Sequence, residues 1–392
     1  MFTIVLIIIY VAFISLGLPD SLLGTAWPVM QGDLGASFGA AGVISMVISG
    51  GTIVSSFLSG RVIKRFGTGK VTMISVAMTA IALFGFSFAP SFVWLCVAAI
   101  PLGLGAGSVD AALNSFVALH YKANHMSWLH CFWGVGATLG PIILSLFIAK
   151  ENGWKKGYFT ISIIQFCLVI VLFLTLPLWK KVKSRNETEE EKEEDIVVEK
   201  QNVYHIRGVK LALVSFVLYC ATETTTGLWG SSYLVNHKGL SADRAALWIS
   251  FFYAGITFAR FLTGFLTMRF HNRILIRVGQ IVCAIGTVFL ILPLPTYFGV
   301  VGFILIGMGC APIYPCMLHE TPKRFGKGAS QSIMGIQMAF AYMGSSFMPP
   351  ILGFLVMKTN IVIFPYFLLV CALVMLLASE KLNGLLMKDN NK

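Results

Sequence analysis

The 392-residue sequence is 57% hydrophobic and only 12% charged, with a mean hydropathy of +0.81, far from the roughly half-apolar, quarter-charged balance of soluble domains. This excludes a soluble globular domain and indicates a polytopic membrane protein. The formal net charge of +12 does not imply nucleic acid as a partner, because a basic chain this apolar places its Lys and Arg in loops at the membrane surface.

Apolar runs of about 20 residues, enough to cross a bilayer, are predicted near 3–26, 39–62, 70–89, 92–118, 126–149, 157–179, 209–235, 242–267, 273–292, 296–318, 329–356 and 360–379. The first starts at Met1 with no basic flank, and its Asp20, Trp27 and Pro28 do not resemble a cleavage site. It reads as a retained span and not as a signal peptide. Between the sixth and seventh runs lies 180–208, containing KKVKSRNETEEEKEED, whose charge density forbids burial and suits a cytoplasmic linker. The expected fold is therefore all-α and integral to the membrane: twelve transmembrane helices in two six-helix bundles, 1–179 and 209–392, the second ending in a short tail.

The halves resemble each other. Gly60-Arg-Val-Ile-Lys-Arg65-Phe66 follows the second span and Gly264-Phe-Leu-Thr-Met-Arg269-Phe270 the eighth. Asp20 with Gly24 on the first span corresponds to Glu223 with Gly227 on the seventh, and Gly103-Leu-Gly-Ala on the fourth to Gly307-Met-Gly-Cys on the tenth. Pro141 closes a glycine-rich stretch in the fifth span, as Pro349 and Pro350 do in the eleventh. These matches keep one order, which marks an internal repeat. Duplicated halves place a substrate site near the midplane, between them.

With the N-terminus inside, most of the 29 Lys and Arg residues fall on the cytoplasmic side, leaving Lys150, Lys155, Lys156, Lys238, Arg244 and Lys358 opposite and Arg260 within the eighth span. The positive-inside rule then makes both termini cytoplasmic. The eight cysteines all sit in apolar segments without C-x-x-C pairs, so neither a disulfide framework nor a metal site is expected, and no cofactor. Gly103, Gly105 and Gly107 lack the strand-turn-helix context of a phosphate loop, and no Walker motif occurs. ATP-driven transport is not expected, nor is the chain read as an enzyme.

Ionisable groups at membrane depth mark function unless a neighbour satisfies them. Asp20, Asp110 and Glu223 are the acids well inside predicted spans, and are the candidates for carrying a proton. A carboxylate facing a partly dehydrated cavity disfavours its charged form, so it can pick up and release a proton as the cavity changes sides. Asp110 and Asn114, four apart, share a helical face, and His130, Gly134, Ala137 and Pro141 form a second stripe. Asn114, His130, Tyr314 and Gln337 could hydrogen-bond a substrate, and Trp133 and Trp229 could cover its apolar faces. The opposing readings are that His130 is an interhelical donor, that Arg260 pairs with an acid, and that Trp27 and Trp154 are interface anchors.

The loop Gly60-Arg-Val-Ile-Lys-Arg65-Phe-Gly67-Thr-Gly69-Lys70 resembles the signature between helices 2 and 3 of the major facilitator superfamily, and the resemblance covers essentially the whole chain. Lys64 and Met268 stand where that motif carries aspartate. Asp20, Asp110 and His130-Cys-Phe-Trp-Gly134-Val-Gly136 resemble the fucose permease-like group of sugar and proton symporters. The resemblance implies the major facilitator fold, sugar binding with proton coupling at Asp20, and proton exchange at Asp110. The expected function is alternating-access import of a sugar or related polar molecule with protons, by a monomer in the bacterial inner or plasma membrane. The alternative is proton-coupled efflux of amphipathic compounds, for which the 31 Phe and 16 Met offer adaptable surfaces.

Overall fold

The computed structural model describes residues 2–121, 123–186 and 206–390, so most of the 180–208 linker lies outside the described residues. Those residues form thirteen helices: α1 (Phe2–Asp20), α2 (Leu22–Asp33), α3 (Ala40–Phe66), α4 (Thr68–Ser87), α5 (Phe92–His120), α6 (Ala123–Ser145), α7 (Gly153–Asn186), α8 (Val209–Asn236), α9 (Ala242–Leu266), α10 (Asn272–Ile291), α11 (Phe298–Phe325), α12 (Lys327–Lys358) and α13 (Ile363–Asn390). Twelve spans are long and apolar enough to cross a membrane, with α1 and α2 together making the first. Large apolar side chains such as Phe57, Leu174 and Leu377 point outward, as a lipid-facing surface requires.

The break between α1 and α2 falls at Ser21, directly after Pro19 and Asp20. Proline has no N–H, so the carbonyl four residues earlier loses its helical partner. That carbonyl belongs to Ser15, and Gln165 of α7 supplies the missing donor through Nε2 at 2.8 Å. Thr79 of α4 holds the other end of the amide by donating to Gln165 Oε1 at 2.9 Å. The irregular backbone beside Asp20 is thus fixed from two further helices.

The apolar core is divided unevenly. One cluster contains residues of both the first and the last six spans, among them Trp27, Phe86, Phe216, Phe252 and Phe303. Toward the end that carries the chain termini, the core separates. Val5, Ile9, Phe13 and Trp179 belong to one cluster, and Val209, Leu213 and Ile333 to another. The two sets of helices therefore join at the end opposite the termini and part toward the terminal end.

Close backbone contacts explain the joined end. A Cβ on Gly24 of α2 would stand 2.2 Å from the Gly227 carbonyl oxygen of α8. Only glycine allows that approach. Beside it Ser231 Oγ donates to the Thr25 carbonyl at 3.2 Å, and the rings of Phe38 and Trp229 stack at 4.7 Å. Trp27 and Trp154 have no exposed surface and are not lipid anchors: their indoles donate to the Phe38 carbonyl at 2.9 Å and to Asp33 Oδ2 at 2.6 Å. They pin the turn around residues 33–39 from within.

Candidate functional site

Asp20 ends α1, and Asp110, Glu223 and Arg260 lie within α5, α8 and α9. Gly17 of α1 and Gly136 of α6 bring two backbones into contact: a Cβ on the first would lie 2.1 Å from the Trp133 carbonyl oxygen, and one on the second 2.0 Å from that of Ile14. This approach sets Trp133 beside Asp20, and its Nε1–H donates to Asp20 Oδ2 at 2.7 Å. Asp20 is nevertheless solvent-exposed. A carboxylate exposed at this depth faces an open cleft and not a packed core.

Across the cleft, Arg260 of α9 extends over the face of Trp133, with Cζ 5.2 Å from the ring centroid. Its Nη2 donates to Glu223 Oε1 at 3.3 Å and to the Tyr219 hydroxyl at 3.2 Å, while Tyr219 donates to Glu223 Oε2. The Arg260 and Glu223 side chains are only 15% and 14% exposed. A guanidinium between a carboxylate and a π face is well matched, since both carry negative potential. Asp20, Trp133, Arg260, Glu223 and Tyr219 consequently form one polar chain running from helices of the first six spans to helices of the last six.

Asp110 and Asn114 lie one turn apart on α5, and Asn114 Nδ2 donates to both the Asp110 carbonyl and Oδ1 at 2.9 Å. Asp110 remains within electrostatic reach of Asp20. His130, one turn before Trp133, meets Phe13 edge-on at 5.9 Å. Tyr314 of α11 packs against Tyr219 at 5.8 Å and donates to Met338 Sδ at 2.6 Å. These residues surround the polar chain. Two sequence candidates sit elsewhere: Gln337 is buried and accepts from Thr321 at 2.9 Å, and Trp229 is fully buried in the joined end, donating to the Pro349 carbonyl at 2.8 Å. At the mouth, Tyr10 Oη and His125 Nδ1 share a hydrogen bond of 2.8 Å, and burial together with neighbouring Tyr10 pushes the Tyr121 phenol up to about 12.

Sequence reasoning misses two members of the constellation. Tyr219 is four residues before Glu223 and so shares its face. Tyr253 is two helical turns before Arg260, its hydroxyl is 2.4 Å from where a Gly227 side chain would begin, and it lies within electrostatic reach of Asp20 and Glu223. Their spacing from a charged residue is the available signal. Among the described residues no group of His, Cys, Asp and Glu could hold a metal ion.

The family model described as Major Facilitator Superfamily matches residues 9–211 and 211–387. The chain belongs to the major facilitator superfamily. One relative, the bypass of stop codon protein 6 of Saccharomyces cerevisiae, is 25% identical over 67% of this chain, and the match covers 56% of that longer protein. The glucose/mannose transporter GlcP of Bacillus subtilis is 23% identical over 79% of this chain and 77% of its own length. Among solved structures, a mutant of the nucleoside transporter NupG superposes with a TM-score of 0.75 at 13% identity, covering 96% of this chain and 98% of that one. This superfamily member is a multi-pass membrane transporter and not an enzyme.

Proposed function

We propose that the transporter imports a sugar or related polar small molecule together with protons, by alternating access, with residues 1–179 and 209–392 as its two moving halves. The observation that carries this reading is the bond between exposed Asp20 and Trp133, continued through Arg260 to Glu223 in the other half. Both termini lie in the cytoplasm, so the parted end faces inward. Asp20 takes a proton when the cleft faces outward, substrate binds between the halves, and inward opening releases both. Protonation removes the charge that Trp133 stabilises, changing the hold of one half on the other. Asp110 and Glu223 complete the proton path. Asn114, His130 and Tyr314 offer hydrogen bonds to hydroxyls and Trp133 offers a ring to an apolar sugar face. The similarity to a glucose/mannose transporter favours a hexose as the first substrate to try.

Efflux antiport is the competing reading. The two differ in whether substrate and proton occupy the site together or compete for Asp20. Proteoliposomes holding the native protein, Asp20→Asn or Asp110→Asn are supplied with labelled hexoses while internal pH is followed. Symport predicts hexose-driven proton entry that is lost in one or both variants, with labelled exchange surviving in one. No hexose-driven proton movement in any of the three proteins overturns the sugar-symport reading.

A further inference from the structure

A second polar site lies well away from the cleft between the halves, at the terminal end of the last six spans. There a cleft of about 280 Å³ is lined by Arg207, Arg273, Lys323 and Arg324, with Phe325 and Leu386 among its apolar walls. Glu320 beside it lies 3.5 Å from Arg273 Nε and 3.7 Å from Lys323 Nζ. Glu320 also accepts from Asn272 at 3.2 Å, so its carboxylate is shared among several donors. Glu380, the next acid nearby, is held by Arg277 at 2.7 and 2.5 Å.

Arg324 is left short of acceptors. Its Nη2 donates to the neutral Asn383 Oδ1 at 3.0 Å, and its Nε is buried without a hydrogen-bond partner. A buried guanidinium N–H without an acceptor is costly. Glu320 and Glu380 are within electrostatic reach of Arg324 and offset part of its charge, while Arg273 lies close enough to repel it. Arg273, Lys323 and Arg324 share the one carboxylate of Glu320 at the cleft, with Glu380 already held by Arg277, so the cleft keeps an excess of cations, and the planar donors of arginine match the oxygens of a phosphate.

The level of the cleft indicates the source. The apolar stretch of α11 ends near Leu318, two turns before Phe325, and that of α13 near Ser379, two turns before Leu386. Span ends lie where the hydrocarbon core gives way to headgroups. A phosphate at that depth belongs to a lipid, and Phe325 and Leu386 offer apolar surface to its glycerol and upper chains.

We propose that this cleft is a binding site for the phosphodiester headgroup of an anionic phospholipid. Arg324 supplies the unmet donor, and Arg273 and Lys323, which share the one carboxylate of Glu320, supply further charge. The reading is independent of what the transporter carries.

The test uses the purified full-length protein in a mild detergent, titrated with phosphatidylglycerol or with phosphatidylcholine, while thermal unfolding and lipid retention in native mass spectrometry are followed. Phosphatidylglycerol should raise the unfolding temperature and stay bound where phosphatidylcholine does not. Lys323→Gln, whose side chain is 63% exposed, should weaken phosphatidylglycerol binding about fivefold, the effect of one cation near a lipid surface. Arg324→Gln should weaken it further. Arg61→Gln, on the same end of the molecule but in the first six spans, should leave it unchanged. Equal retention of the two lipids, an effect of Arg61→Gln as large as that of Lys323→Gln, or inorganic phosphate stabilising as well as the lipid would overturn the proposal.

Discussion

Arg260 of α9 stands 5.2 Å over the ring of Trp133, whose edge donates to Asp20 at 2.7 Å, so one indole serves two helices of opposite halves through two different parts of its surface. The functions of edge and face can be separated. Trp133→Phe keeps an aromatic face under Arg260 and removes the donor to Asp20. A hydrogen bond to a charged group contributes about 1.5–3 kcal/mol, so proton-coupled uptake should fall at least about tenfold while labelled exchange falls less. Trp133→Ala removes the face as well and should impair both. Identical behaviour of the two variants in proteoliposomes would show that the ring edge has no role of its own.

The Glu223–Arg260 pair is a buried unit held also by Tyr219. Removing one partner strands the other charge in a poorly hydrated place. Glu223→Gln or Arg260→Gln alone should therefore destabilise the folded protein by about 2–4 kcal/mol, visible as a lower unfolding temperature in detergent. The double variant should recover much of that loss. If the losses of the single variants simply add, the ion pair is not the stabilising contact.

Gly24 permits the α2–α8 approach at the joined end. Gly24→Val inserts bulk where even a Cβ would lie 2.2 Å from the Gly227 carbonyl oxygen, which should pry that end apart. A cysteine placed at Ser231, fully buried in the native protein, should then react faster with a membrane-impermeant maleimide. Unchanged labelling would mean that the contact does not hold this end shut.

Gln165 offers a test of the helix break. Its Nε2 replaces the donor that Pro19 cannot supply to the Ser15 carbonyl. Gln165→Leu leaves that buried carbonyl without a donor, at a cost of about 1–3 kcal/mol, while Thr79 keeps its bond to the Val76 carbonyl. Because the break adjoins Asp20, the variant should lose uptake more than its stability loss explains. Gln165→Glu, which keeps an acceptor for Thr79 but no donor when ionised, should not restore uptake.

Much of the fold is legible because membrane spans are written as composition: all twelve predicted runs overlap the observed ones, and the superfamily follows from the Gly60–Lys70 loop. The predicted first run is too short, ending near 26 where the helical path continues to Asp33, since α2 restarts after a Pro19 break that no periodicity reveals. Asp20, Asp110 and Glu223 stand out because charge is costly in lipid. What stays hidden is partnership across distance. Nothing local in the sequence ties Trp133 to Asp20, 113 positions earlier, or places Arg260 over the same ring. Trp229 reads as a platform for substrate because its residue type suits one, whereas packing between Phe38 and the Pro349 carbonyl gives it a place in the joined end.

The uneven core also bears on turnover. Trp27, Phe216 and Phe252 belong to an apolar seam that both halves share at one end, with separate clusters at the other. Each square ångström of that seam exposed on opening costs about 25 cal/mol. Opening the joined end therefore carries an apolar cost that opening the parted end does not, and we propose that the empty carrier rests with the parted mouth open and returns slowly. Trading one labelled substrate molecule for another skips that return, so exchange should outrun net accumulation.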